Sequence, residues 1–148
     1  MKFPKKKKSK VRTKPQLIKD CDNAMSLYIR ELDDYTCICC GQDKSTAVMQ
    51  NGHLITRGNH AVRYDEHNCF CQCSGCNLAH EHHPEVMTNR FIKLFGAEAY
   101  DRLVIKSKGS PKFTKEELEV MVRYFKAETE KIKEAKLNGT WNRKPFER

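Results

Sequence analysis

Apolar residues at helical spacing bracket a central stretch that has no such rhythm. Leu17, Cys21, Ala24/Met25, Tyr28 and Leu32 return every three or four positions, and Pro15 suits a first turn, so a helix is predicted over residues 15–32. Residues 33–83 break the pattern, being rich in Cys, His and Gly with no long periodic segment. Within them, Asn51-Gly52 is a strong hairpin-turn signal that would make His53 the first residue of a returning strand. From Pro84 the helical rhythm resumes. Val86, Met87, Phe91, Leu94 and Phe95 share one apolar face before Gly96, and Tyr100, Leu103 and Val104 predict a second short helix ending before Lys108-Gly109. A polar loop leads to the capping box Thr114-x-x-Glu117. The longest helix follows, with Leu118, Met121, Val122, Phe125 and Ile132 inward, and stops at Asn138-Gly139. The tail beyond is polar except for Trp141 and Phe146, which suit docking on this chain or on another.

Three segments result. Residues 1–14 are a basic arm expected to be disordered; 15–107 hold the first helix, the Cys/His core and the following helices; 108–148 are a linker, the long C-terminal helix and a tail. The apolar stripes of the helices read as packing surface rather than as sites.

Charge is unevenly placed. The 148-residue chain carries a net +9, yet residues 1–14 hold eight Lys and Arg, Lys5, Lys6, Lys7 and Lys8 among them, and no acid. That leaves 20 basic and 19 acidic side chains in the rest, which is nearly neutral. Such an arm can solubilise the chain, or it can gain affinity for a phosphate polymer by counterion release. Charge alone does not choose between them. No apolar run approaches the ~20 residues needed to span a membrane, and the N-terminus lacks an apolar signal region. A cytoplasmic protein, with no membrane partner, is the expectation.

Eight cysteines then change the picture, because seven lie between Cys37 and Cys76. In a reducing compartment such a cluster points to metal rather than disulfides. Cys37-Ile-Cys-Cys40-Gly41 and Cys73-Ser-Gly-Cys76-Asn77 each contain a C-x-x-C, whose two-residue gap lets both sulfurs face one tetrahedral ion. Structural Zn²⁺ on Cys37, Cys40, Cys73 and Cys76 is the expected arrangement, with Cys39 competing in the first pair and Cys71 in the second. Cys21, Cys69 and Cys71 otherwise read as buried thiols. Zinc held by four sulfurs has no open position and cannot activate water.

The order C-x-x-C-G, G-H, N and C-x-x-C-N resembles the HNH endonucleases, whose ββα-metal core is often braced by such a zinc site. The middle of the chain is more closely similar to the phage NinG/Rap recombination nucleases, through L-Y-I-R-E-L-D (27–33), C-I-C-C-G (37–41), G-H-L-I-T-R-G (52–58), R-Y-D-E-H-N (63–68), Q-C-S-G-C-N (72–77) and R-F-I-K-L-F-G (90–96). These stretches span residues 17–105. The resemblance implies an α+β fold, a small zinc-braced ββα-metal (treble-clef-like HNH) core flanked by α-helices. It implies His53 as general base, Asn68 as the asparagine that fixes the loop, and Asn77 as a ligand of a catalytic Mg²⁺ or Mn²⁺. Glu81, one helical turn after Asn77, is a candidate second ligand. Many HNH enzymes carry an Asp or His ligand before the base, where this chain has Gly52.

Arg57 and Arg63, between the histidine and Asn68, suit a phosphate clamp or, equally, pairing with Asp65 or Glu66. His60, His67, His80, His82 and His83 read as solvent-facing by default; His80-Glu-His-His83 could bind metal, though no fixed spacing supports it. The implied activity is a metal-dependent DNA endonuclease acting on branched recombination intermediates such as Holliday junctions or D-loops. Paired incisions would call for a homodimer, with the long helix over 114–137 as a dimer element. Two other readings share the same residues: a non-catalytic zinc-finger module that binds DNA or protein, and an HNH nickase or restriction-type nuclease.

Overall fold

The computed structural model describes residues 11–148. The lysines at 5–8 lie outside the described residues. Within them the elements run α1 (Lys14–Leu32), β1 (Met49–His53), β2 (Cys69–Cys73), α2 (Ser74–Ala79), α3 (Pro84–Phe95), α4 (Ala97–Ser107) and α5 (Lys115–Leu137). This is a mixed α and β chain whose only sheet, among the described residues, is one antiparallel pair. Among the described residues, no helix is long and apolar enough to cross a membrane.

The four longer helices follow the predicted rhythm to within a residue or two. Thr13 caps α1 in a box with Gln16, so the helix begins at Lys14, inside the stretch expected to be a free arm. Thr114 and Glu117 form the box that starts α5. Gly96, at φ +86°, separates α3 from α4 in a backbone conformation that side chains disfavour.

α1 is the central element. Leu17, Met25, Ile29 and Leu32 pack against Leu118, Val122, Phe125 and Ile132 of α5. The two helices run parallel: Arg12, just before α1, pairs with Glu119 near the start of α5, and Lys136 near its end pairs with Glu31 at 3.1 Å. The apolar stripe of α5 therefore faces this chain's own α1. Trp141 packs against the same cluster, and Phe146 lies 6.4 Å from Phe70. The tail docks on its own chain.

β2 is buried on both faces and forms a seam. Cys69 joins the α1/α5 core, whereas Phe70 enters a second core with Met87 and Phe91 of α3 and Leu103 of α4. The last residue locks this seam from behind. Arg148 pairs with Asp33 at 2.7 Å, with side chains 1% and 0% exposed, and its guanidinium also donates to the Glu66 and Cys69 carbonyls. Asp33 in turn accepts from the Cys71 N–H, so the ion pair is fully hydrogen-bonded.

One sequence expectation is overturned. Asn51 and Gly52 form no turn; they lie inside β1, paired with Cys71 and Phe70 of β2. The connection is instead the long loop 54–68. Glycine is needed at 52 for close approach, since a Cβ there would sit 1.9 Å from Gln72 Oε1. Gln72 is fully buried and folds across the strand at this point.

Candidate active site

The first feature is the cysteine cluster. Residues 36–43 form a tight knuckle: the Gly41 N–H bonds the Cys37 carbonyl at 2.9 Å, the Cys37 N–H bonds the Gln42 carbonyl, and Gly41 takes φ +75°. β2 then delivers Cys73, which caps α2 by accepting from the Cys76 N–H. The sulfurs of Cys37, Cys40, Cys73 and Cys76 all lie within 4.8 Å of one another, with Cys40 and Cys73 at 3.7 Å. A tetrahedron of Zn–S bonds near 2.3 Å places its sulfurs roughly 3.8 Å apart, so this set can hold a structural zinc. The alternatives left by the spacing fall away. Cys39 Sγ accepts from Gln72 Nε2, and Cys71 is buried within the strand. The adjacent Cys39 thiol pulls Cys37 below the ordinary thiol range, while burial pushes Cys40 and Cys76 up. Four thiolates this close need a cation among them, and binding one would release protons.

The second feature is a pair of adjoining clefts of about 320 and 950 Å³ beside the end of β1. Both are lined by Asn51, His53, Arg57, Arg63 and Asn77. The residues singled out from sequence thus meet here, with informative exceptions.

His53 ends β1 half-buried, and its Nε2 lies 3.1 Å from the Arg63 carbonyl. A carbonyl can only accept, so Nε2 carries the proton and Nδ1 keeps its lone pair. Burial, with the charge of Arg57 adding to it, holds the imidazole pKa below its usual value, so the ring is neutral at pH 7. Asn68 is fully buried and does not line the clefts. Its amide accepts from the Ile55 N–H at 2.7 Å and donates to the carbonyls of Ile55 and Val62. It closes the loop 54–68 onto itself, and that loop carries the Arg63 carbonyl. Asn77, on α2, donates to Gln50 Oε1 at 2.8 Å, which leaves its own amide oxygen uncommitted.

The two arginines part company. Arg63 is held bidentately by Asp22 of α1, with Nε at 2.9 Å, and its third nitrogen donates to the Arg57 carbonyl. Its partner is neither Asp65 nor Glu66: Asp65 pairs with Lys106, and Glu66 accepts from the Tyr28 hydroxyl. Arg57 is exposed at the cleft mouth. Glu81 lies past the end of α2, in the turn after it, and lines only the larger cleft.

Three cleft residues were not anticipated. Asp22 orients Arg63, a pairing across 41 positions that no local pattern signals. Asn51, assigned to a turn, presents a buried amide oxygen without a partner. His80, expected by default in solvent, lines the larger cleft; the run His80-Glu-His-His83, readable as a metal-binding stretch, was the available hint.

Comparison with known families gives one result. A family model described as Bacteriophage Lambda NinG protein matches residues 2–136. No curated protein and no solved structure matches the chain.

Proposed function

Given that this chain belongs to the bacteriophage lambda NinG family, we propose that it is a metal-dependent DNA endonuclease with a zinc-braced HNH core, cutting branched recombination intermediates. Family membership supports a phage recombination-related role. The β1–β2–α2 order, with the four cysteines joining the hairpin to the helix, supports the ββα-metal reading. The observation that carries the activity is His53, held by one ring nitrogen and left with a free Nδ1 in a polar cleft.

The residues divide the work as follows. His53 Nδ1 accepts the proton of the attacking water, a role suited to an imidazole that is neutral at pH 7. Asn68 acts at a distance by fixing the loop whose Arg63 carbonyl orients the ring. Asn77 and Glu81 would hold the divalent Mg²⁺ or Mn²⁺, their hard oxygens matching such an ion. When bound, that ion neutralises charge on the phosphate and the leaving oxygen. Arg57 contacts the DNA backbone near the cut, and Lys5, Lys6, Lys7 and Lys8 hold flanking DNA without sequence preference. Arg63, neutralised by Asp22, shapes the site rather than gripping phosphate. Paired cuts across a junction would require two copies of the chain, as a homodimer.

The test is cleavage of a four-way junction beside linear duplex, in Mg²⁺ or Mn²⁺, with wild type and His53→Ala. The variant should lose roughly 10²–10⁴-fold in rate while keeping its zinc and helical signal. Because burial depresses the His53 pKa, wild-type kcat/KM should climb with pH through a pKa below the usual imidazole value of about 6.5 and stay flat through neutrality. Undiminished cleavage by His53→Ala rejects the assignment of the base. No cleavage of any DNA by wild type leaves a zinc module that binds without cutting.

A further inference from the structure

His80 repeats the preparation of His53. Its Nε2 lies 3.2 Å from the Leu54 carbonyl, so the ring proton is committed there and Nδ1 keeps the lone pair. Nδ1 is buried and has no hydrogen-bond partner. The residue is fixed at both backbone and ring: the His80 backbone N–H bonds the Cys76 carbonyl, and Leu54, whose carbonyl takes the ring proton, donates its own N–H to the Asn68 carbonyl. Leu54 directly follows His53, so the loop that orients one imidazole anchors the other.

A histidine whose distal N–H is fixed on a carbonyl, with the other nitrogen bare, is arranged as metal-ligating histidines are. His80 lines the larger cleft with Asn77 and Glu81, the residues already read as oxygen ligands. The strand supplies no side chain at position 52, and Gln72 fills the space that one would take. The helix side of the cleft has a nitrogen to offer in its place.

We propose that His80 Nδ1 ligates the divalent cation of this cleft beside the Asn77 amide oxygen, with the Glu81 carboxylate completing the protein's share. This inference rests on the reading of the cleft as a metal-dependent site. It gives the site a mixed nitrogen and oxygen character. Imidazole favours transition ions, whereas Mg²⁺ prefers oxygen and water, so His80 biases the cleft toward Mn²⁺ over Mg²⁺.

His80→Gln is the discriminating variant. The glutamine amide can still donate to the Leu54 carbonyl from the position of Nε2, but it has no counterpart of the Nδ1 lone pair. The zinc-loaded protein is titrated with Mn²⁺ and with Mg²⁺, and the Mn²⁺ complex is examined by electron spin echo for coupling to ¹⁴N. Wild type should show nitrogen coupling. His80→Gln should lose it and bind Mn²⁺ at least about tenfold more weakly, with Mg²⁺ affinity changed less. Wild type that lacks nitrogen coupling, or a variant that retains both coupling and affinity, overturns the proposal. Cleavage measured on the same samples separates the two ideas. A wild type that binds Mn²⁺ through His80 yet cuts no DNA upholds the site and removes the nuclease reading. A variant that binds Mn²⁺ as wild type does, in a protein that cuts, removes the site and leaves the nuclease.

Discussion

The two ends of this molecule are held together by different physics. At one end, α1 and α5 bury a continuous apolar stripe, and both helices start in complete capping boxes. At the other, the knuckle at 36–43 and the six-residue α2 bring together four sulfurs with little apolar burial beyond Ile38; α2 has no buried residue at all. A helix that short does not stand alone in water. The helical end is held by burial, whereas the cysteine end has a set of thiols that could hold a metal in its place. The cleft straddles the two, taking Asp22 from α1, His53 from β1, and Asn77 and His80 from the cysteine end. Its geometry therefore depends on both kinds of stability at once.

That contrast can be broken first by removing the metal. Chelation, or Cys73→Ser, should abolish amide protection over residues 36–43 and 73–80 while most helical signal from α1 and α5 remains. Structural zinc sites contribute on the order of 10 kcal/mol, so this is the largest effect expected. Amide exchange and circular dichroism on one sample read both ends, and a single cooperative loss of both would refute the division. Arg148→Ala attacks the seam instead, leaving Asp33 buried without its partner. Denaturant unfolding should show about 3–5 kcal/mol lost, with zinc content unchanged.

Gly52→Ala should cost less, about 1–3 kcal/mol, by forcing the Gln72 amide aside. Gln72 also donates to Cys39 Sγ in the knuckle, so chemical shifts of the cysteine end should move although the substitution lies in β1. Thr114→Ala removes one side of a capping box and should cost about 1 kcal/mol, confined to α5 and without effect on zinc affinity.

How much of this was legible in the sequence follows the same divide. The helices were readable because an apolar rhythm and its caps are local signals, and the zinc set because C-x-x-C spacing is local too. β2 was legible only in part: Cys69 and Cys71 alternate with Phe70 and Gln72 as on a strand with one buried face, whereas both faces are buried. Asn51-Gly52 misled for a related reason. The pair's intrinsic taste for turns is real, but Gly52 is required by a side chain on the neighbouring strand. Within the site, the cysteines could be named from spacing and His53 and Asn77 through the family resemblance, whereas the Arg63–Asp22 pair and the anchoring of His80 on Leu54 exist only once the chain has folded. Sequence found the groups with intrinsic chemistry and missed those defined by their partners.

The Arg148 lock also sets an order of events during synthesis. All four zinc-ligating candidates have been made by residue 76, whereas the guanidinium that grips the Cys69 carbonyl comes 79 positions after it. At about 5–20 residues per second that gap lasts on the order of ten seconds. For that interval the nascent chain can assemble its metal end while Asp33 stays hydrated and β2 lacks both α5 and its pin. The half whose cysteines could hold a metal thus has a head start over the half that is held by burial.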